Sequence, residues 1–213
     1  MKHVVLVAAL LAAPCAWAQE AAAGKADPFT GGSAEAGAGK AAVCGACHGP
    51  GGNSSNPEWP KLAGQHASYL YSQLKALKSG ERKTPVMNAQ AAILSDQDMK
   101  DLAAYFAAQK AQPGVGSPDA VKVAEKLYRG GDAARGLPAC SACHGPQGHG
   151  NAAAAYPRIG GQHAKYTANV LRVIRSQHGA PIPQPNLVTM AAVAAKLTDA
   201  EIETLASYLN GLH

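Results

Sequence analysis

One five-residue pattern occurs twice in this 213-residue chain and limits its possible folds more than any other feature: Cys44-Gly-Ala-Cys47-His48 and Cys140-Ser-Ala-Cys143-His144. Both copies read C-x-x-C-H, the attachment signature of a c-type haem. The chemistry explains the spacing. Two thiols three residues apart can each form a thioether to a haem vinyl group, and the adjacent histidine then offers its imidazole to the iron. A C-x-x-C pair also serves as half of a zinc site or as a thioredoxin-like redox pair. The trailing histidine, repeated identically, argues against both, as does the lack of a βαβ pattern. The chain is therefore expected to carry two covalent haem c groups, held by Cys44, Cys47, Cys140 and Cys143, with His48 and His144 as axial ligands.

The N-terminus reads as a targeting segment. Lys2 and His3 form a basic start, residues 4–13 an apolar run too short to span a bilayer, and Ala16-Trp17-Ala18 a cleavage site before Gln19. Cys15 raises a lipoprotein alternative, which Pro14 directly before it disfavours. Cleavage after Ala18 leaves four cysteines, all in the two motifs. The expected location is the periplasm, with no transmembrane segment in the mature chain and peripheral membrane association left open.

Beyond Gln19 the chain reads as two copies of one unit: residues 19–112, a linker at 113–118 rich in Pro and Gly, and residues 119–213. Residues 19–32 are small and polar, a loosely held lead-in. Residues 33–43 read as a short helix running into the first motif, and 49–59 as a loop. The segment Pro60-Lys-Leu62-Ala-Gly64-Gln65-His66 returns as Pro157-Arg-Ile159-Gly-Gly161-Gln162-His163 at an offset of 97. After each copy apolar residues recur at helical spacing: Tyr69, Leu70, Leu74 and Leu77 up to Gly80, then Tyr166, Val170, Leu171 and Ile174 to about Gln177. Residues 81–88 and the proline-laden 181–190 read as loops. Ser95-x-x-Asp98, with Asp in the usual Glu position, is a near capping box and Thr198-x-x-Glu201 a full one, each opening a final helix in its unit. No stretch alternates like a strand. Aromatics are 5% of the chain and alanine makes up much of its 47% hydrophobic share, so each unit has little apolar mass of its own. An all-α fold, a few helices around each haem, follows.

The second axial position decides between ligand chemistry and electron transfer. Met87 and Met190 stand at equivalent places, at an offset of 103, each after an irregular proline-containing stretch and before a capped helix. They are the candidate sixth ligands. His66 and His163, also equivalent, form the competing pair; otherwise they are helix-start residues with local hydrogen bonds. Met99, whose counterpart is Ile202, reads as packing; Trp59 and Tyr156, each directly before the repeated proline, read as packing that closes the core, with stacking near the haem edge as the alternative. His149, His178 and His213 read as surface residues.

From Gln19 the first unit carries 9 Lys and Arg against 8 Asp and Glu, and the second 9 against 6. With no dense basic run and few aromatics, nucleic-acid binding is excluded. The uneven charge suggests that Lys165, Arg172 and Arg175 steer the second unit to an acidic partner.

With C-x-x-C-H, the proline-to-glutamine turn and the methionine all present twice, the chain resembles the two-haem cytochrome c4 family over nearly its whole mature length. The resemblance implies two cytochrome c folds related by a pseudo-two-fold axis. It also implies that the carbonyls of Pro60 and Pro157 accept the second N–H of the axial histidines, the bond that orients the imidazole. The function it implies is that of an exported, non-enzymatic carrier passing single electrons between redox proteins, towards a haem-copper terminal oxidase. Rival readings are the cytochrome subunit of a flavocytochrome-type dehydrogenase and a two-haem peroxidase or thiosulfate dehydrogenase.

Overall fold

The computed structural model describes Asp27, residues 29–182 and residues 184–213. The expected signal peptide, with Cys15, lies outside the described residues. Ten α-helices lie in chain order and no strand is present among the described residues; two isolated bridges, Asp132–Leu137 and Asn151–Tyr156, are the only β-type pairings there.

In the first unit α1 (Ala34–Lys40) starts where the Ser33 hydroxyl accepts from the Ala36 N–H, and it passes through Ala41 directly into α2 (Ala42–His48), which carries the first motif. α1 crosses the last helix of the unit, α5 (Asp96–Ala107). Gly37 is the point of closest approach: a Cβ there would lie 2.1 Å from the Asp101 carbonyl oxygen. α3 (Ala67–Ser79) ends at Gly80, whose φ of 81° suits glycine. α4 (Pro85–Ala92) packs on α3. The core between α2, α3 and α5 holds Leu70, Leu102, Ala103 and Phe106. Burying such a Leu or Phe stabilises by roughly 1.5–3 kcal/mol.

The second unit repeats this order with α6 (Pro118–Gly130), α7 (Ser141–His144, the second motif), α8 (Ala164–Ser176), α9 (Pro185–Ala194) and α10 (Asp199–Gly211). Both capping boxes form: Ser95 and Asp98 exchange hydrogen bonds at the start of α5, as do Thr198 and Glu201 at α10. The repeat extends to single bonds. Gly64 N–H donates to Phe106 at 3.0 Å and Gly161 N–H to Leu209 at 2.8 Å, the same bond in each unit.

Two expectations need correction. Residues 81–88 and 181–190 are not loops throughout, because α4 and α9 begin at Pro85 and Pro185. A proline opens a helix readily at the first position, where its missing N–H costs nothing. The lead-in is also held down from Asp27 onward. The Asp27 carboxylate accepts from the Ser68 N–H at 3.2 Å, and the Phe29 ring lies 5.4 Å from that of Tyr71.

Residues 113–117 run along α10, with Gly114 N–H donating to Asn210 and Ser117 N–H to the Ser207 hydroxyl. The two units meet through polar bonds. The Gln162 side chain bonds both backbone groups of Lys61, and that of Gln65 bonds both of Arg158. Around these, Arg82 donates to the Tyr166 hydroxyl at 3.0 Å, Gln184 to Glu81 at 2.8 Å, and Lys165 pairs with Glu58.

Candidate functional site

Each motif histidine closes a short helix. His48 ends α2 and His144 ends α7, and the next residue, Gly49 or Gly145, leaves the helix with φ of 75° or 76°. A Cβ on Gly49 would come within 2.4 Å of the Asn53 carbonyl, so the turn needs glycine. The loop then folds back on itself. Leu62 and Ala63 N–H both donate to the Gly52 carbonyl, and Ile159 and Gly160 N–H both donate to that of Gly148. These closures bring Pro60 O to 2.8 Å from His48 Nδ1, and Pro157 O to 2.9 Å from His144 Nδ1.

A carbonyl only accepts, so Nδ1 of each ring carries the proton and Nε2 the lone pair. Both histidines are buried, 6% and 5% exposed. Burial lowers the pKa of each ring, partly opposed by the proline carbonyl, and keeps the imidazole neutral, as ligation requires. None of the four motif cysteines is in a disulfide, and all are half-buried. Burial raises the pKa of the Cys44 thiol and pushes that of Cys140 up to about 11. A redox or zinc-binding pair needs the opposite, a thiol that ionises easily. No group of three or more His, Cys, Asp or Glu side chains among the described residues is arranged to hold a bare metal ion. Two half-buried thiols beside one neutral, oriented imidazole fit a haem joined by thioethers.

Met87 is the third residue of α4 and Met190 the sixth of α9, both half-buried. They reach their places on helices packed against α3 and α8. Met99 is 3% exposed, inside α5. Tyr156 lies 6.2 Å from the His144 ring, and Trp59 is 41% exposed in the polypeptide. His66 and His163 stand at the starts of α3 and α8, each with its N–H bonded to the preceding glutamine side chain. The ring of His163 is not satisfied locally: Nε2 bonds Ser54 O of the other unit at 2.7 Å. Sequence reasoning missed Gln65 and Gln162 as the residues that join the units. Their recurrence after the same glycine in both copies was the available signal.

The steering residues are engaged. Arg175 lies 2.5 Å from Asp199, Arg172 pairs with Glu203 and Lys165 with Glu58. The excess basic charge of the second unit therefore forms no free patch at these three residues.

Two helical units, each with a C-x-x-C-H motif and a carbonyl-oriented histidine, define a two-haem c-type cytochrome. The cytochrome c family model matches residues 34–110 and 129–213. Cytochrome c4 of Azotobacter vinelandii is 48% identical over 191 residues, covering 85% of this chain and 90% of that protein. The crystal structure of reduced recombinant cytochrome c4 from Pseudomonas stutzeri superposes with a TM-score of 0.81 at 48% identity, covering 85% of this chain and all of that one. A thiosulfate dehydrogenase electron acceptor of Stutzerimonas stutzeri is 35% identical over 172 residues, covering 79% of this chain and 78% of that protein. The chain belongs to the cytochrome c4 family. It is an electron-transfer cytochrome with two covalently bound haem c groups.

Proposed function

We propose that this protein is an exported electron carrier of the periplasm that takes single electrons from one respiratory partner and delivers them to another, with a haem-copper terminal oxidase as acceptor. Each haem supplies one site that cycles between ferric and ferrous iron. The chain's own part is to hold the two sites still. In this reading His48 with Met87, and His144 with Met190, would hold the two irons, and Cys44, Cys47, Cys140 and Cys143 would anchor the haems covalently. Pro60 and Pro157 hold the imidazoles. The observation that carries the proposal is the matched pair of Nδ1 bonds, 2.8 and 2.9 Å, which orients both imidazoles in the same way. No helix among the described residues is long and apolar enough to cross a membrane.

The test is oxidation of the reduced protein by a purified haem-copper oxidase, followed by absorbance and oxygen uptake. Cyanide-sensitive reoxidation on the millisecond-to-second scale is the expected result. No reoxidation by the oxidase would contradict the assignment. The resemblance to thiosulfate dehydrogenase electron acceptors supports a second reading of the donor side, in which a sulfur-oxidising dehydrogenase reduces the protein. Co-purification with a dehydrogenase subunit would favour the subunit role instead.

A further inference from the structure

The two units differ beside their haem motifs. In the second, α6 lays Tyr128 against α10. The residue is fully buried, its ring 5.4 Å from that of Tyr208, and its hydroxyl donates to the Gly145 carbonyl at 2.6 Å. That carbonyl also accepts from the Gly148 N–H at 3.1 Å, so both its lone pairs are used. The first unit has the equivalents of both partners. Tyr105 corresponds to Tyr208, and Gly49 follows its histidine in the same conformation as Gly145, ψ 166° against 164°. The Gly49 carbonyl accepts from the Gly52 N–H at 3.0 Å, the counterpart of the Gly148 bond. No aromatic matches Tyr128, because α1 runs into α2 through Ala41 with no counterpart of residues 131–139. A half-open cleft of about 410 Å³ is left, lined by Ala38, Ala41, Gly45, Gly49, Pro50 and Tyr105 among others.

We propose that this cleft is a binding site for a small para-substituted phenol. The sister unit shows the fit within the same chain: a phenol ring set against the equivalent tyrosine, its hydroxyl on the equivalent glycine carbonyl. The alanine and proline walls supply apolar contact, and an aromatic ring pair adds attraction beyond the buried area. The Gly49 carbonyl has a lone pair placed for the hydroxyl, and the para substituent, which takes the direction in which the Cβ of Tyr128 leads back to its own helix, meets the α1 wall at Ala41 and so has to be small.

The test is a titration of the fully reduced two-haem protein with p-cresol, followed by ¹H–¹⁵N NMR. Saturable shifts at Gly49, Gly51 and Tyr105, with none at Gly145 or Tyr208, are expected. Toluene, which lacks the hydroxyl, should bind at least tenfold more weakly. Ala38→Trp, at an exposed rim position, should weaken p-cresol at least tenfold while the haem spectrum stays unchanged. No saturable shift at Gly49 and Tyr105 up to the solubility of p-cresol would overturn the proposal. So would affinity unchanged by Ala38→Trp, or toluene binding equal to that of p-cresol.

Discussion

The side-chain amide of Gln65 holds the backbone of Arg158 at both ends: its Oε1 accepts from the Arg158 N–H at 2.8 Å and its Nε2 donates to the Arg158 carbonyl at 2.8 Å. Gln162 does the same to Lys61, both bonds at 2.9 Å. Because Gln65 and Gln162 are repeat equivalents, and Lys61 and Arg158 are too, the two clamps are related by the pseudo-two-fold axis of the molecule. Each clamped residue directly follows the proline that orients a motif histidine. The contact between units is therefore one residue away from each haem site.

Replacing both glutamines, Gln65→Ala with Gln162→Ala, removes the four hydrogen bonds between units, together with the local bonds from the His66 and His163 N–H groups. At about 0.5–1.5 kcal/mol net each, docking of the units should weaken by roughly 2–6 kcal/mol. The expected outcome is a larger radius of gyration by X-ray scattering and separate thermal transitions for the two units. Unchanged scattering would show that the remaining interface suffices.

The helices were largely legible in the sequence, and the contacts between units were not. Capping boxes, the stop at Gly80 and the apolar faces of α3, α5, α8 and α10 are local patterns, and the chain obeys them. Pro85 and Pro185 misled because proline is equally at home in a loop and at the first position of a helix; local pattern does not distinguish the two. Gln65 was visible only as part of a turn, since its partner lies 93 residues away. The acidic partners of Arg172, Arg175 and Lys165 are likewise set by tertiary packing, so a count of charges overstated the free basic surface of the second unit.

Acid should loosen both units over a definable range. Lys40, 2.7 Å away, with the Ser33 N–H and Gln97, holds the Asp101 carboxyl down at about 2 from an ordinary 3.8. Arg135 holds Glu201 down at about 2 from 4.5. A carboxyl lowered on folding contributes stability that is complete above its unfolded value and lost as pH falls through the folded one. Melting temperature should therefore drop between about pH 4.5 and 2. Lys40→Met should flatten the first unit's share of that drop, and an unchanged slope would refute the assignment.

The two capping boxes should be of similar value. Ser95→Ala and Thr198→Ala each remove a side-chain acceptor from the start of a final helix, at a cost of about 1 kcal/mol. Chemical denaturation of each variant measures this, with the haem spectrum of the folded state unchanged. A loss above 3 kcal/mol from either would mean that the residue does more than cap.

The proposed ligand pair, Met87 and Met190, is the centre of the account. Proton NMR of the fully reduced, diamagnetic protein tests them directly, because a methionine methyl held over a haem plane is shifted far upfield by the ring current. Two such methyl resonances are expected; Met87→His should remove one and Met190→His the other, each lowering one reduction potential because a thioether favours ferrous iron. No upfield methyl in the reduced protein, or a pair that survives both substitutions, would contradict the ligand set and point instead to iron held by His66 and His163.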